Sequence, residues 1–278
     1  MRLLPALILG LPLMAQAVSP LQDRADRFLK LVNAGYQSLY YVSSEATWAA
    51  STDVSPEHDA AAEWAGKASA AFNGNPALIT EARELLKHRK DLSDLAVRQL
   101  ERVLLNAAEG PMTNPKLVAD RVATETQQAS LMNGFVWKLD GKPLSANRID
   151  EILATSDNLA ERRKVWEVSK ENGPVLKDGL VRLRDLRNGC AQELGYSDYF
   201  ALQVAKYGLT TDEMMAFNRQ FLQELRPLYL QLHTWVKYEM AKKYNQPVPK
   251  AIPAHWINNR WSQNWTGFVK AVDFNPYF

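Results

Sequence analysis

Apolar residues recur every three or four positions along most of this chain, and that spacing constrains the fold more than any other feature. From Asp23 to Trp48 it selects Phe28, Leu31, Val32, Leu39 and Val42. From Pro76 to Asn106 it selects Leu78, Ala82, Leu85, Leu86, Leu92, Leu95, Leu100, Val103 and Leu104, enough for one or two amphipathic helices. Ser55-Pro56-Glu57 supplies an N-cap followed by proline at the first helical position, and Asn75-Pro76 ends the segment it begins. Lys116 to Gly134, Asn147 to Ser169, Val175 to Leu194 and Thr211 to Tyr244 are further helical runs. Thr210 or Thr211 caps the last of these, with Asp212 and Glu213 favourably placed in its first turn, and Pro227 inside it predicts a kink or a break. The Asp140-Gly141 dipeptide marks Phe135 to Leu144 as a small hairpin or an ordered loop. After Pro247, Pro249 and Pro253 the pattern from Trp256 to Val272 is helical again. The expected fold class is all-α, with no internal repeat and no Gly/Ser linker to divide it.

Charge narrows the partners. Thirty-three Lys and Arg face 31 Asp and Glu, a formal net charge of +2, so the chain lacks the one-signed field expected of a nucleic-acid binder. At the N-terminus Arg2, the apolar run Leu3 to Met14 and the small-residue site Ala15-Gln16-Ala17 read as an export signal. Residues 1–17 are therefore expected to be removed, leaving 18–278 as an exported, periplasmic or secreted chain; the competing reading is an uncleaved anchor. No later stretch is apolar and long enough to form a membrane anchor, and the single cysteine, Cys190, allows no internal disulfide.

Signatures of catalysis are scarce. The chain has no G-x-S-x-G, no phosphate-binding Walker loop and no G-x-G-x-x-G. Cys190 lies inside a helical run between Leu186 and Leu194, where a packed thiol is favoured over a nucleophile. The four histidines, His58, His88, His233 and His255, include no i, i+4 pair and no H-E-x-x-H, so no helical zinc pair is encoded. His58 reads as a solvated side chain at a helix start and His233 as a hydrogen-bonded core histidine.

The stretch Ile252-Pro253-Ala254-His255-Trp256-Ile257-Asn258-Asn259-Arg260-Trp261-Ser262-Gln263-Asn264-Trp265 holds three tryptophans within ten residues. On a helix Trp261 and Trp265 share a face and Gln263 points away from it. Two readings stay open: an aromatic core stripe with surface amides, or a cleft wall on which the Gln263 amide donates to a carboxylate. The IPAH-x₅-W-x-Q-x-W pattern resembles one found in the angiotensin-converting-enzyme family of zinc peptidyl-dipeptidases. Pro227-Leu228-Tyr229-Leu230-x-Leu232-His233, Ile152-Leu153-Ala154-Thr155-Ser156 followed by Trp166-Glu167, and Glu45-Ala46-x-Trp48-x₃-Thr52 are similar to segments of the same family, in the same order.

The resemblance implies a mostly helical enzyme with a central channel that removes dipeptides from the C-termini of oligopeptides. It implies that Gln263 contacts the peptide's terminal carboxylate and that Asn264 faces the departing dipeptide. It also places Trp166, Lys170 and Tyr207 in chloride-binding neighbourhoods. Lys170 stands where an arginine is usual and Tyr207 aligns only with one residue inserted, so chloride dependence does not follow. The family's zinc ligands and general base belong to an H-E-x-x-H helix and a later glutamate downstream of the W-x-Q-x-W segment. No catalytic or metal-binding residue is therefore assigned to these 278 residues, which correspond to the N-terminal portion of a bacterial-type member, a fragment expected to be inactive alone. Its apolar stripes are expected to be exposed and the isolated chain poorly soluble or partly molten. Alternative readings are a non-catalytic exported helical peptide-binding protein, or an oligopeptidase of the thimet or oligopeptidase-F type, which shares the Leu186-Arg187-Asn188-x₂-Ala191-x₂-Leu194-Gly195-Tyr196 pattern.

Overall fold

The computed structural model describes residues 19–265. The expected leader, residues 1–17, and the last residues of the expected Trp256–Val272 helix lie outside them. Helices α1 (Pro20–Thr52) and α2 (Pro56–Asn73) pack side by side, α5 (Pro115–Asn133) lies against α2, and α8 (Asn172–Glu193) lies against α5. On the other side of α1, helices α3 (Pro76–Lys87) and α4 (Asp94–Ala107) close a core of Ala25, Leu29, Val32, Ala82, Leu85, Leu100 and Val103. The run from Pro76 to Asn106 is thus two helices, separated by a 3₁₀ turn at Arg89–Asp91 and restarted by the Ser93 side chain, which accepts from the Ala96 N–H. The buried stripe of α1 is shifted from the expected one: Leu31 and Val42 are 65% and 46% exposed, because alanines 25 and 50 take the interior where the helices approach closely.

Cys190 of α8 is 1% exposed among Ala70, Val118 and Val122, the packed thiol expected of it, and burial pushes it above the ordinary thiol range. Gly74 has no room for a side chain, since a Cβ there would sit 1.9 Å from the Gly110 carbonyl oxygen. Strands β1 (Trp137–Leu139) and β2 (Lys142–Leu144) form the expected hairpin, with Trp137 paired to Leu144 and with Asp140 and Gly141 both at positive φ, as a tight primed turn requires.

The run from Asn147 to Ser169 divides into α6 (Ala146–Thr155) and α7 (Leu159–Val168), because Ser156-Asp157-Asn158 stops one helix and starts the next. The Asn158 side chain accepts from the N–H groups of Ala160 and Glu161. The periodicity gave no sign of the short α9 (Tyr199–Ala205). Helix α10 (Thr211–Lys243) begins with a reciprocal box between Thr210 and Glu213 and runs through Pro227 without the break that proline predicts. The proline stands within a stretch, residues 215–231, whose members are all exposed, so water can serve the carbonyl left without its helical N–H. Among the described residues the buried side chains of α10 lie at its C-terminal end, where Val236, Met240 and Ala241 meet Tyr244, Trp256 and Ile257.

The expected helix from Trp256 is absent through residue 265. In its place are a 3₁₀ turn, Ala254–Trp256, and a looped segment with Ile257 extended and Ser262 at φ 57. Local competition explains this. The Gln263 N–H, which a helix would give to the Asn259 backbone carbonyl, donates at 3.0 Å to the Asn259 side-chain oxygen instead.

Candidate functional site

The segment from Ile252 to Trp265 is pinned to α6, α7 and the end of α10 by polar side chains. The first is Arg162 of α7, which is 0% exposed. Its Nε–H donates to the His255 carbonyl at 2.8 Å. One terminal nitrogen donates to the carbonyls of Leu153 and Ser156 at 2.7 and 2.8 Å, the other to those of Trp256 and Ile257 at 3.0 and 3.1 Å. These five bonds engage all five guanidinium N–H groups. Two acceptors lie at the C-terminal end of α6, where the helix dipole favours a cation. The guanidinium also sits 5.5 Å from the centre of the Tyr244 ring, and the Tyr244 hydroxyl donates to the Trp256 carbonyl at 3.2 Å. Burial pulls the guanidinium below the usual arginine range and pushes the Tyr244 phenol above its own.

A second anchor joins Arg260 to α6 by a two-pronged pair with Asp150, at 2.8 and 2.9 Å. The Arg260 guanidinium lies 5.8 Å from the Trp137 ring and 5.5 Å from the Trp261 ring. Its carbonyl accepts from the Lys170 ammonium at 2.6 Å. Lys170 in turn stands 5.1 Å from the Trp166 ring and 5.0 Å from the Trp261 ring. Burial, and then the Arg260 charge, lower its pKa from the ordinary lysine value. The Trp166 indole Nε1 is buried and meets no acceptor among the described residues. At the far end of the segment, Trp265 stacks on Tyr229 of α10 at 5.9 Å and lies 5.6 Å from His233.

Within this frame Gln263 and Asn264 are exposed, and the Gln263 amide makes no hydrogen bond among the described residues. Both backbone N–H groups donate to Asn259 Oδ1, at 3.0 and 3.3 Å, and the Ser262 hydroxyl donates to the Ala254 carbonyl at 3.0 Å. Gln263 is therefore presented by a turn, with Ser262 held in the left-handed region that serine seldom adopts. Of the three residues expected near chloride, Trp166 and Lys170 come together. Tyr207 stands apart from their contacts, 76% exposed at the end of α9, where the adjoining Lys206 pairs with Glu109 of the α4–α5 loop. His233 is half-buried against the Tyr229 and Trp265 rings, and His58 Nδ1 lies 2.7 Å from the Asp53 carbonyl at the start of α2. His255 is held below the ordinary imidazole value by burial and then by Arg163 and Arg162. Among the described residues no three His, Cys, Asp or Glu side chains converge to hold a metal ion, so zinc does not fit this part of the chain.

Sequence reasoning missed Arg162. Arg162-Arg163 reads as a charged surface pair, and only the i, i+3/i+4 apolar positions around it, Leu159, Val165 and Trp166, hint that one of the two faces inward.

Comparison with known proteins finds relatives that match part or most of this chain. Angiotensin-converting enzyme-like protein Ace3 of Mus musculus is 34% identical over 132 residues, 45% of this chain and 17% of that protein. The angiotensin-converting enzyme of Theromyzon tessulatum is 30% identical over 124 residues, 42% of this chain and 19% of its own length. That of Bos taurus is 23% identical over 270 residues, 90% of this chain and 19% of its own length. The matched part thus spans less than a fifth of each of these relatives. A family model described as angiotensin-converting enzyme matches residues 19–277, nearly the whole chain, and the protein belongs to that family of peptidases.

Proposed function

We propose that this chain is the N-terminal part of an exported zinc peptidyl-dipeptidase, and that Gln263, with Asn264 beside it, receives the C-terminal carboxylate of an oligopeptide. The family match over residues 19–277 carries the reading, and the exposed Gln263 amide, without a hydrogen bond among the described residues and set on a pinned loop, supports it. A carboxamide N–H is a suitable donor to a carboxylate, and a loop fixed in advance lowers the ordering cost of binding. Zinc, when bound in such an enzyme, polarises the scissile carbonyl and lowers the pKa of its water. Among the described residues no three His, Cys, Asp or Glu side chains form a ligand set for it.

The apolar face of α10 supports the partial-enzyme reading. Leu222, Leu225 and Leu228 are 71%, 57% and 65% exposed along one helix, a surface suited to packing against further chain. Chloride is the finer part of the proposal. The Trp166 N–H, which meets no acceptor among the described residues, and the nearby Lys170 ammonium offer a small anion one hydrogen-bond donor and one cation, while Arg260 close by is already paired with Asp150.

The carboxylate role is tested by titrating the chain with one oligopeptide in two forms, free acid and C-terminal amide. The free acid should bind more tightly, and Gln263→Ala should remove most of that preference, about tenfold for one charge-assisted hydrogen bond. Equal affinities for both forms in the unsubstituted chain, or an equal loss for both on substitution, would refute it. Intact mass and zinc content of the protein from its native source test the partial-enzyme reading: a mass near twice this chain's 31.4 kDa with bound zinc supports it, and a mass near that of residues 18–278 without zinc overturns it.

A further inference from the structure

We infer that Arg162 is the positioning residue of the Gln263 site, fixing from inside α7 the backbone on which Gln263 is presented. The inference rests on the carboxylate-binding reading of Gln263 above, and it is separable from it by experiment.

The geometry leads from the guanidinium to Gln263 in two steps. Arg162 bonds three consecutive carbonyls, those of His255, Trp256 and Ile257. A planar, rigid fork can take three neighbouring carbonyls only if the chain curls around it. A regular helix aligns successive carbonyls along its axis and a strand alternates them, so neither arrangement suits this clamp. The remaining two donors, to Leu153 and Ser156, tie the fork to the end of α6, and the curl is thereby placed relative to two helices at once.

Beyond the clamp, Asn259 and Ser262 pass its position on to Gln263. Asn259 Oδ1 accepts from the N–H groups of Gln263 and Asn264, and the Ser262 hydroxyl returns to the Ala254 carbonyl, next to the first clamped residue. The loop between the clamp and Gln263 is therefore closed on itself. A shift of residues 255–257 moves residues 262–264 with them.

The chemistry at Arg162 is unusual for a merely stabilising arginine. No carboxylate contacts its guanidinium among the described residues; every partner is a backbone carbonyl. Burying a guanidinium away from water is costly unless each donor is met, so a hydrophobic side chain of similar volume is the simpler way to fill such a space. What the guanidinium adds is direction, because five donors in a fixed plane specify where five carbonyls lie. Arg163, one position on, shows the contrast: its hydrogen bond among the described residues is an exposed pair with Glu167, one turn along its own helix, and it reaches none of the clamped carbonyls.

The test uses the full chain with three substitutions, Arg162→Lys, Asn259→Ala and Arg163→Lys. Two quantities are read in each: amide hydrogen exchange at Gln263 and Asn264 relative to the α4 amides, and the affinity ratio for one peptide as free acid over its C-terminal amide. Lysine keeps the charge but brings its three donors from a single atom, so it cannot restore the clamp. Arg162→Lys should speed exchange at Gln263 and Asn264 and cut the acid-to-amide ratio about tenfold, the cost of misaligning one charge-assisted bond. Arg163→Lys should change neither. Asn259→Ala leaves the clamp intact and should lower the ratio by itself; if Arg162→Lys does not fold, this variant decides, and an unchanged ratio with unchanged exchange overturns the inference. A ratio preserved in Arg162→Lys overturns it as well. Should the unsubstituted chain show no preference for the acid, the Gln263 reading fails, and exchange alone then decides: faster at Gln263 and Asn264 in Arg162→Lys upholds positioning, unchanged exchange overturns it.

Discussion

The bundle of α1 to α5 and the loop from Ile252 to Trp265 both have interiors closed to solvent, and they achieve it by different means. Around Leu85 and Leu100, each 0% exposed, the interior is filled by aliphatic side chains repeated on several helices. Around Arg162, equally closed, the interior is a single cation facing backbone carbonyls. Aliphatic packing is non-directional and distributes its stabilisation over many contacts, so it tolerates changes that keep volume and pattern. The clamp concentrates position in one residue. A framework suits the first device, and a loop proposed to present one amide at a defined place suits the second.

The comparison is broken most directly from the bundle side. Leu100→Ala removes a side chain at the centre of the α1–α3–α4 core, and should lower the stability of the chain by about 2–5 kcal/mol as a cavity opens. The free-acid preference attributed to Gln263 should survive in the fraction that remains folded, because Leu100 and the loop residues Trp256 and Ile257 belong to separate core clusters. Denaturant melts of the variant check the first point. A loss below about 1 kcal/mol would show that the bundle core is too loosely packed to count as a framework.

What the sequence made legible follows the same division. Regular packing leaves a periodic trace, and the runs at Asp23 to Trp48, Lys116 to Gly134 and Thr211 to Tyr244 correspond to α1, α5 and α10 within a few residues. Caps were equally readable, because Ser55 and Thr210 are small hydroxyl residues placed before an acidic first turn. Single contacts leave no such trace. Nothing in the order of residues says that Arg162 reaches the carbonyls of residues 255–257, more than 90 positions away, while Arg163 does not. That is also why a helix was expected from Trp256: the spacing of Trp256, Trp261 and Trp265 is compatible with one, but the carbonyls and the Gln263 N–H have other partners. Gln263 and Asn264 were reached through resemblance in the W-x-Q-x-W segment, not through periodicity. The split between α6 and α7 was hidden by scale, since Ser156-Asp157-Asn158 is too short an interruption to disturb the apolar pattern on either side.

Proton uptake sharpens the comparison on the loop side. His255 lies in the clamped turn, facing Arg162, Arg163 and Glu167, and its folded-state pKa is depressed from 6.5, first by burial and then by the two arginines. As pH falls below about 6.5 the unfolded chain takes up a proton at this position before the folded chain does, so stability declines with falling pH. The depressed carboxylates, Glu84, Asp120, Asp157 and Glu213, act in a lower window: their contribution is present above the ordinary carboxylate range and is lost as pH falls through their folded values. Between neutrality and pH 5.5 the difference between the unsubstituted chain and His255→Gln therefore isolates this histidine. Its contribution to the slope is at most about 1.4 kcal/mol per pH unit. The variant should lose less stability over that interval than the unsubstituted chain, and parallel stability curves would show that the loop opens to water before the bundle unfolds.

The smallest effect is expected where neither device operates. Residues 215–231 of α10 are exposed at every position, yet Phe217, Phe221, Leu222 and Leu225 are apolar. No aliphatic partner covers them among the described residues, and no clamp holds them; the helix there rests on its capped start at Thr210 and its packed end at Met240. Replacing Leu222 and Leu225 by glutamate should thus change stability by no more than about 0.5 kcal/mol per site, as for ordinary surface positions. The same replacement should abolish much of the binding of an apolar fluorescent dye and raise solubility, since an open apolar patch drives both dye binding and self-association. A loss of several kcal/mol instead would mean that these leucines are packed in the folded chain. The middle of α10 would then belong with the bundle, and the exposed face would give no support to the partial-enzyme reading.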